Sequence, residues 1–260
     1  MPTFVSDNPL FLLLFFMTGF FSGFVDSIAG GGGLISVPVL LLTGMPPQMV
    51  LGTNKFQASF GSFTSAYNYI SKGIITLKEC VTGIMFTLTG AAFGSFLVQQ
   101  INSDFIRHLI PFLLIPIALY SFFGGGFSET RKPRLPLKLF YLIFGLALGF
   151  YDGFFGPGTG SFWTAAFVFL MGFELTKATG ATKIMNFTSN FTALLIFFIG
   201  GNIDYKTGIV MAVGAATGAR IGSSLAAKKG TGFIRPLFIT VVLFTIANLL
   251  YQNYGNSLFK

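Results

Sequence analysis

Four consecutive glycines, Gly30, Gly31, Gly32 and Gly33, interrupt an apolar stretch long enough to cross a bilayer. Each glycine inside a helix costs about 1 kcal/mol relative to alanine, so a run of four ends the helix. Lipid cannot satisfy the backbone groups that such a break frees, so the break must be buried in protein or line a cavity. The feature occurs twice. Residues 23–55 read GFVDSIAGGGGLISVPVLLLTGMPPQMVLGTNK, and residues 149–183 read GFYDGFFGPGTGSFWTAAFVFLMGFELTKATGATK. Each copy has an Asp three residues after a Gly, a glycine cluster, a short apolar run, a break, and a Thr and Lys in a further apolar segment. We read the copies as paired halves of one transport site.

The rest of the chain sets that site in a membrane. Hydrophobic residues make up 53% of the 260 and charged residues 9%, against about 25% charged in soluble domains. Mean hydropathy is +0.75. A soluble receptor or a nucleic-acid binder is excluded, because the net charge of +8 sits mostly in short loops, as the positive-inside bias places it. Cys80 has no cysteine partner, and His108 is the only histidine. There is no Walker motif, metal-ligand cluster or triad spacing, so no cofactor, metal or enzymatic role is expected. The expected partners are the lipid bilayer and a small anionic substrate, and a homo-oligomer is compatible with the pattern.

The fold class expected is an all-α polytopic membrane protein of about eight transmembrane helices plus two short broken or re-entrant segments, built as two internal repeats. The spans fall at 10–29, 49–70, 77–101 and 105–123, then at 137–155, 175–199, 205–227 and 233–251, with short runs at 34–43 and 160–171. The first repeat covers 1–125, a basic linker loop 126–138, and the second repeat 139–260. Gly19, Gly23 and Asp26 match Gly145, Gly149 and Asp152 at an offset of 126, and Gly52 and Lys55 match Gly180 and Lys183 at 128. If the short runs are re-entrant, the repeats are parallel; if each completes a crossing, they are inverted. The sequence leaves both open.

Asp26, Lys55, Asp152, Lys183 and Arg220 sit away from span ends. A charge at a helix centre costs about 2.5–3.5 kcal/mol, so these five are expected to face the bundle interior or a cavity. Asp26–Lys55 and Asp152–Lys183 are candidate pairs within each half. Arg220 faces Ala92 in the alignment, which suggests a role in ligand charge or in one packing contact; all three acidic and guanidinium groups are candidates for coupling or structural charge. Thr182, Lys183 and Asn186 lie on a polar stripe with Ser189 and Asn190, and Thr53, Asn54 and Lys55 form its counterpart. A lysine with hydroxyls and amides suits an oxyanion. Helices restarting at Gly31, Gly32 and Gly33, or at Gly158 and Gly160, add a positive dipole end. The GxxxG pairs Gly19/Gly23, Gly145/Gly149, Gly90/Gly94 and Gly218/Gly222 read as close helix packing.

These two blocks resemble the TauE/SafE sulfite exporter family, in its YfcA-like branch, and the resemblance extends over about residues 10–250. It implies a multi-pass permease of the bacterial cell membrane and substrates among sulfur-containing anions: sulfite, sulfoacetate or other organosulfonates. The matching positions are Asp26, Gly30, Gly31, Gly32, Gly33, Pro38, Thr53, Asn54 and Lys55, then Asp152, Gly156, Pro157, Gly158, Gly160, Thr182, Lys183 and Asn186. The residues argue for an anion; only the resemblance supplies sulfur. The expected function is a secondary transporter of small anions working by alternating access. A passive anion channel, or a non-transporting subunit that needs a partner, is the alternative.

Overall fold

A computed structural model describes residues 9–102 and 132–230. The spans expected at 105–123 and 233–251, and residues 126–131 of the linker loop, lie outside the described residues. The helices are α1 (Pro9–Ala29), α2 (Gly33–Leu41), α3 (Pro47–Ser71) and α4 (Leu77–Gln100) before the linker. After it come α5 (Leu137–Phe154), α6 (Thr159–Met171), α7 (Leu175–Ile199) and α8 (Tyr205–Lys229). Local chemistry sets their ends. Proline opens α1 and α3, where its missing N–H is no loss. Thr76 and Glu79 form a capping box on α4, and Asp204 accepts from Thr207 N to start α8.

Among the described residues five helices, α1, α4, α5, α7 and α8, are long and apolar enough to cross a membrane. The segment expected as a span at 49–70 forms α3, a helix of 25 residues. Its buried Asn54, Lys55, Gln57, Ser59, Ser62, Ser65 and Asn68 make it the most polar of the long helices around the site. α2 and α6 rise only about 13 and 20 Å, short of the roughly 30 Å hydrocarbon core.

Residue pairings fix the helix directions. Gly19 and Gly23 of α1 meet Met211 and Ala215 of α8, so these helices are parallel. Gly90 and Gly94 of α4 likewise run with Leu146 and Phe150 of α5. α3 runs with α8, since Gly208 lies on Phe56 while Asn68 reaches Ser223. α3 opposes α7: Gly52 meets Phe197, whereas Gly180 meets Tyr69. α4 runs with α7, since Thr87 reaches Met185 while Gln99 reaches Ile196, so each long helix before the linker is antiparallel to the matching one after it, α1 to α5, α3 to α7 and α4 to α8. The short helices bring the chain back. Val37, Leu40 and Met45 pack with Phe15 of α1 and Val50 of α3, and Trp163, Phe167 and Met171 pack with Phe140 and Tyr141 at the start of α5.

The closest helix pairings join opposite sides of the linker. A Cβ on Gly23 would lie 2.2 Å from Ala215 O, and one on Gly153 would lie 2.2 Å from Ala91 O. These seams, α1 on α8 and α5 on α4, absorb the GxxxG pairs as packing. Polarity is inverted relative to a soluble protein: Phe63, Met85, Phe93, Phe96 and Phe198 face outward while lysines and amides are buried. That distribution suits a bilayer as solvent.

Candidate functional site

The two breaks meet. α1 ends at Ala29; Gly30, which follows, has a left-handed φ of +79° and packs so tightly on Gly160 that an added Cβ would lie 2.3 Å from the Gly160 carbonyl carbon. Ser161 Oγ donates to Ala29 O across the same junction (2.9 Å). α5 ends at Phe154, and Gly156 and Gly158, with φ of +101° and +82°, turn the chain into α6. The N-cap residues of α2 and α6 are glycines, Gly32 and Gly158, and Asp26 Oδ1 accepts from Gly32 N at 3.5 Å.

Around this junction lie the lysines and aspartates, but their pairing corrects the sequence expectation. Lys55 Nζ donates to Asp152 Oδ1 at 2.6 Å, and Lys183 Nζ donates to Asp26 Oδ2 at 3.0 Å. Each pair joins one half to the other. The cause is the antiparallel placement of α3 and α7: the lysine of each points at the broken helix of the opposite half. Lys183 also donates a short hydrogen bond to the Asp26 carbonyl. The Lys55 and Asp152 side chains are 1% and 4% exposed, whereas Asp26 is 23% exposed. Lys55 Nζ makes a second bond to Asn190 Oδ1 (3.1 Å). Ser189 Oγ donates a short bond to Asp152 Oδ2.

At this junction lies a cavity of about 20 Å³, lined by Asp26, Lys55, Asp152, Asn54, Asn186 and Asn190 with glycines of both breaks, while Lys183 sits behind Asp26 and outside the lining. That is room for about one water. Asn54 is held by Ser36 Oγ, which donates to its Oδ1 at 2.6 Å, and by Gln57 Nε2 at 3.0 Å. Asn186 is buried, and its Oδ1 has no hydrogen-bond partner among the described residues.

The remaining expected residues are placed as follows. Gly33, Gly158 and Gly160 line the cavity. Gly31 and Gly32 build the turn beside it, with Gly31 O accepting from Leu34 N and Gly32 O accepting from Ser22 Oγ. Thr53 is buried away from it, its Oγ1 accepting from Asp204 N (2.9 Å). Thr182 pairs with Thr164 Oγ1 at 3.0 Å. Arg220, expected to face inward, is exposed, and its guanidinium donates to Asn68 Oδ1 (2.7 Å). That is the packing alternative, with α8 turning this residue away from the bundle. The sequence reading left Ser189 and Asn190 out of the site, although the stripe from Asn186 at three- and four-residue steps signals both. Among the described residues no group of His, Cys, Asp and Glu could hold a metal.

Chemically, the site presents two ammonium groups, already neutralised, with amide and hydroxyl partners at a junction of two broken helices. A model of the sulfite exporter TauE/SafE family matches residues 15–249. The chain is 42% identical to a probable membrane transporter protein of Haemophilus influenzae, over 93% of this chain and 95% of that one. It is 42% identical to the probable membrane transporter protein YfcA of Escherichia coli, over 96% and 94%. Identity to the probable membrane transporter protein YdhB of Bacillus subtilis is 25%, over 82% and 88%. No solved structure matches the chain.

Proposed function

The chain belongs to the TauE/SafE sulfite exporter family, and from that premise we propose that this multi-pass membrane transporter is a secondary carrier of small oxyanions, among them sulfite and organosulfonates. The carrying observation is the closed junction where Lys55 and Lys183, each from one half, reach the broken helix of the other. Lys55 in the cavity lining, with Lys183 held behind Asp26, gives an oxyanion charge partners, and Asn54, Asn186 and Asn190 give it amides. With about 20 Å³ enclosed, no anion passes without movement of the walls, which supports alternating access over a channel.

In this reading the chain carries two inverted repeats, 1–125 and 139–260, joined by the 126–138 loop, with about eight spans in all. It works in the bacterial cell membrane, as a transporter and not an enzyme. Moving one half against the other separates the crossed pairs and opens the junction to one side. The test is counterflow in proteoliposomes loaded with sulfite, sulfoacetate or, as a control, sulfate, with wild type beside Lys183→Met. Saturable counterflow that the folded variant lacks is the expected result. Equal counterflow in both would remove Lys183 from the site.

A further inference from the structure

We propose that this carrier moves one proton with each monovalent anion, and that Asp152 is the group that carries it. The inference rests on the transport reading above and adds its coupling. It starts from charge. Lys55, Lys183, Asp26 and Asp152 sum to zero at the closed junction. A monoanion entering it leaves a net charge of −1 in a narrow, largely buried space, and one proton restores neutrality.

Geometry selects Asp152. Lys55 lines the cavity, and two of its three ammonium donors are engaged by Asp152 Oδ1 and Asn190 Oδ1. An oxyanion that binds Lys55 competes with the Asp152 carboxylate for it. Asp152, 4% exposed, then loses the one cation paired with it among the described residues and has little access to water, while Asp26, 23% exposed, has more. The groups facing Asp152 are Lys55 from α3 and Ser189 from α7, with Tyr151 beside it on α5. The glycines and Thr87 of α4 bring no charge to it. Thr159 at the start of α6 lines the same cavity and is also uncharged. Gly156 makes the exchange feasible, since a Cβ there would lie 2.6 Å from Lys55 Nζ and 2.9 Å from Asp152 Oδ1.

Ser189 suits both protonation states. It now donates to Asp152 Oδ2, but its Oγ also lies 3.1 Å from Met185 O and 3.2 Å from Asn186 O. When Asp152 becomes an acid, the serine hydrogen turns to one of these carbonyls and the serine oxygen accepts the new O–H. The step balances: carboxylate and proton give the neutral acid, and the ammonium changes partner from carboxylate to anion.

The experiment measures protons taken up per anion bound by the purified full chain. Titration calorimetry is run with methanesulfonate, which stays a monoanion near neutral pH, and with sulfoacetate and sulfite, in buffers of different ionisation enthalpy. One proton per methanesulfonate is expected, with affinity falling up to tenfold per pH unit once the free site is deprotonated. Asp152→Asn should bind without proton uptake, Asp152→Glu should restore it, and Glu79→Gln, outside the cavity, should match wild type. Saturable binding with no proton uptake in wild type overturns the coupling and leaves the transport reading standing. Proton uptake that persists in Asp152→Asn removes Asp152 as the carrier. No binding of any of the three anions overturns the transport reading and this inference with it. The wild-type stoichiometry decides the coupling even if Asp152→Asn does not fold.

Discussion

Removing Lys55 alone should cost far more than removing it together with Asp152. In Lys55→Met the Asp152 carboxylate stays buried beside Ser189 with no cation, its partner having stood 2.6 Å away. Breaking one side of a buried ion pair costs about 3–5 kcal/mol. Both side chains are almost wholly inaccessible, so we expect about 3 kcal/mol or more, reduced somewhat by the serine hydroxyl that remains. Asp152→Asn should cost a similar amount, because the ammonium is then unpaired. In Lys55→Met/Asp152→Asn neither charge is left, and the coupling energy should reach about 2 kcal/mol or more. Lys55→Met combined with Asp26→Asn, the partner expected from sequence order, should be closer to additive. The assay is thermal or denaturant unfolding of the four proteins of each cycle in one detergent. Coupling as large for Lys55 with Asp26 as for Lys55 with Asp152 would refute the crossed pairing.

Other consequences of the fold can be read directly. Gly30→Ala forces a side chain into a left-handed backbone position and into Gly160, so unfolding experiments should show a loss of about 2 kcal/mol or more. Arg220→Ala removes one hydrogen bond, to Asn68; it should cost about 1 kcal/mol in the same assay and leave anion counterflow near wild type. Cysteines placed at Lys72, after α3, and at Ile199, at the end of α7, should react with an impermeant maleimide from opposite sides of the membrane, in a background where Cys80 is replaced. Labelling of both from one side would refute the antiparallel placement of α3 and α7.

Much of this molecule was legible before any coordinates, and the reason is locality. The ends of α1, α3 and α4 follow from Pro9, from Pro46 and Pro47, and from Thr76 with Glu79, all acting within one turn of themselves. The breaks followed from glycine clusters, and the polar stripe through Asn186 from helical periodicity. Lys55 and Lys183 stood out because a charge in an apolar span needs a reason.

What the sequence determined was therefore a list of parts: a membrane protein, broken helices in two copies, two lysines and two aspartates set against them. The tertiary structure alone decided their partners. Asp26 precedes Lys55 by a short stretch of chain, yet it bonds Lys183, because α7 runs opposite to α3 and brings its lysine to the end of α1. Arg220 carries the same formal charge as the lysines, but its place on α8 turns it outward to Asn68. Helix direction and rotation arise from contacts between residues far apart in sequence, such as Gly30 with Gly160 and Gly23 with Ala215. No local pattern encodes which distant helix will supply the opposing charge.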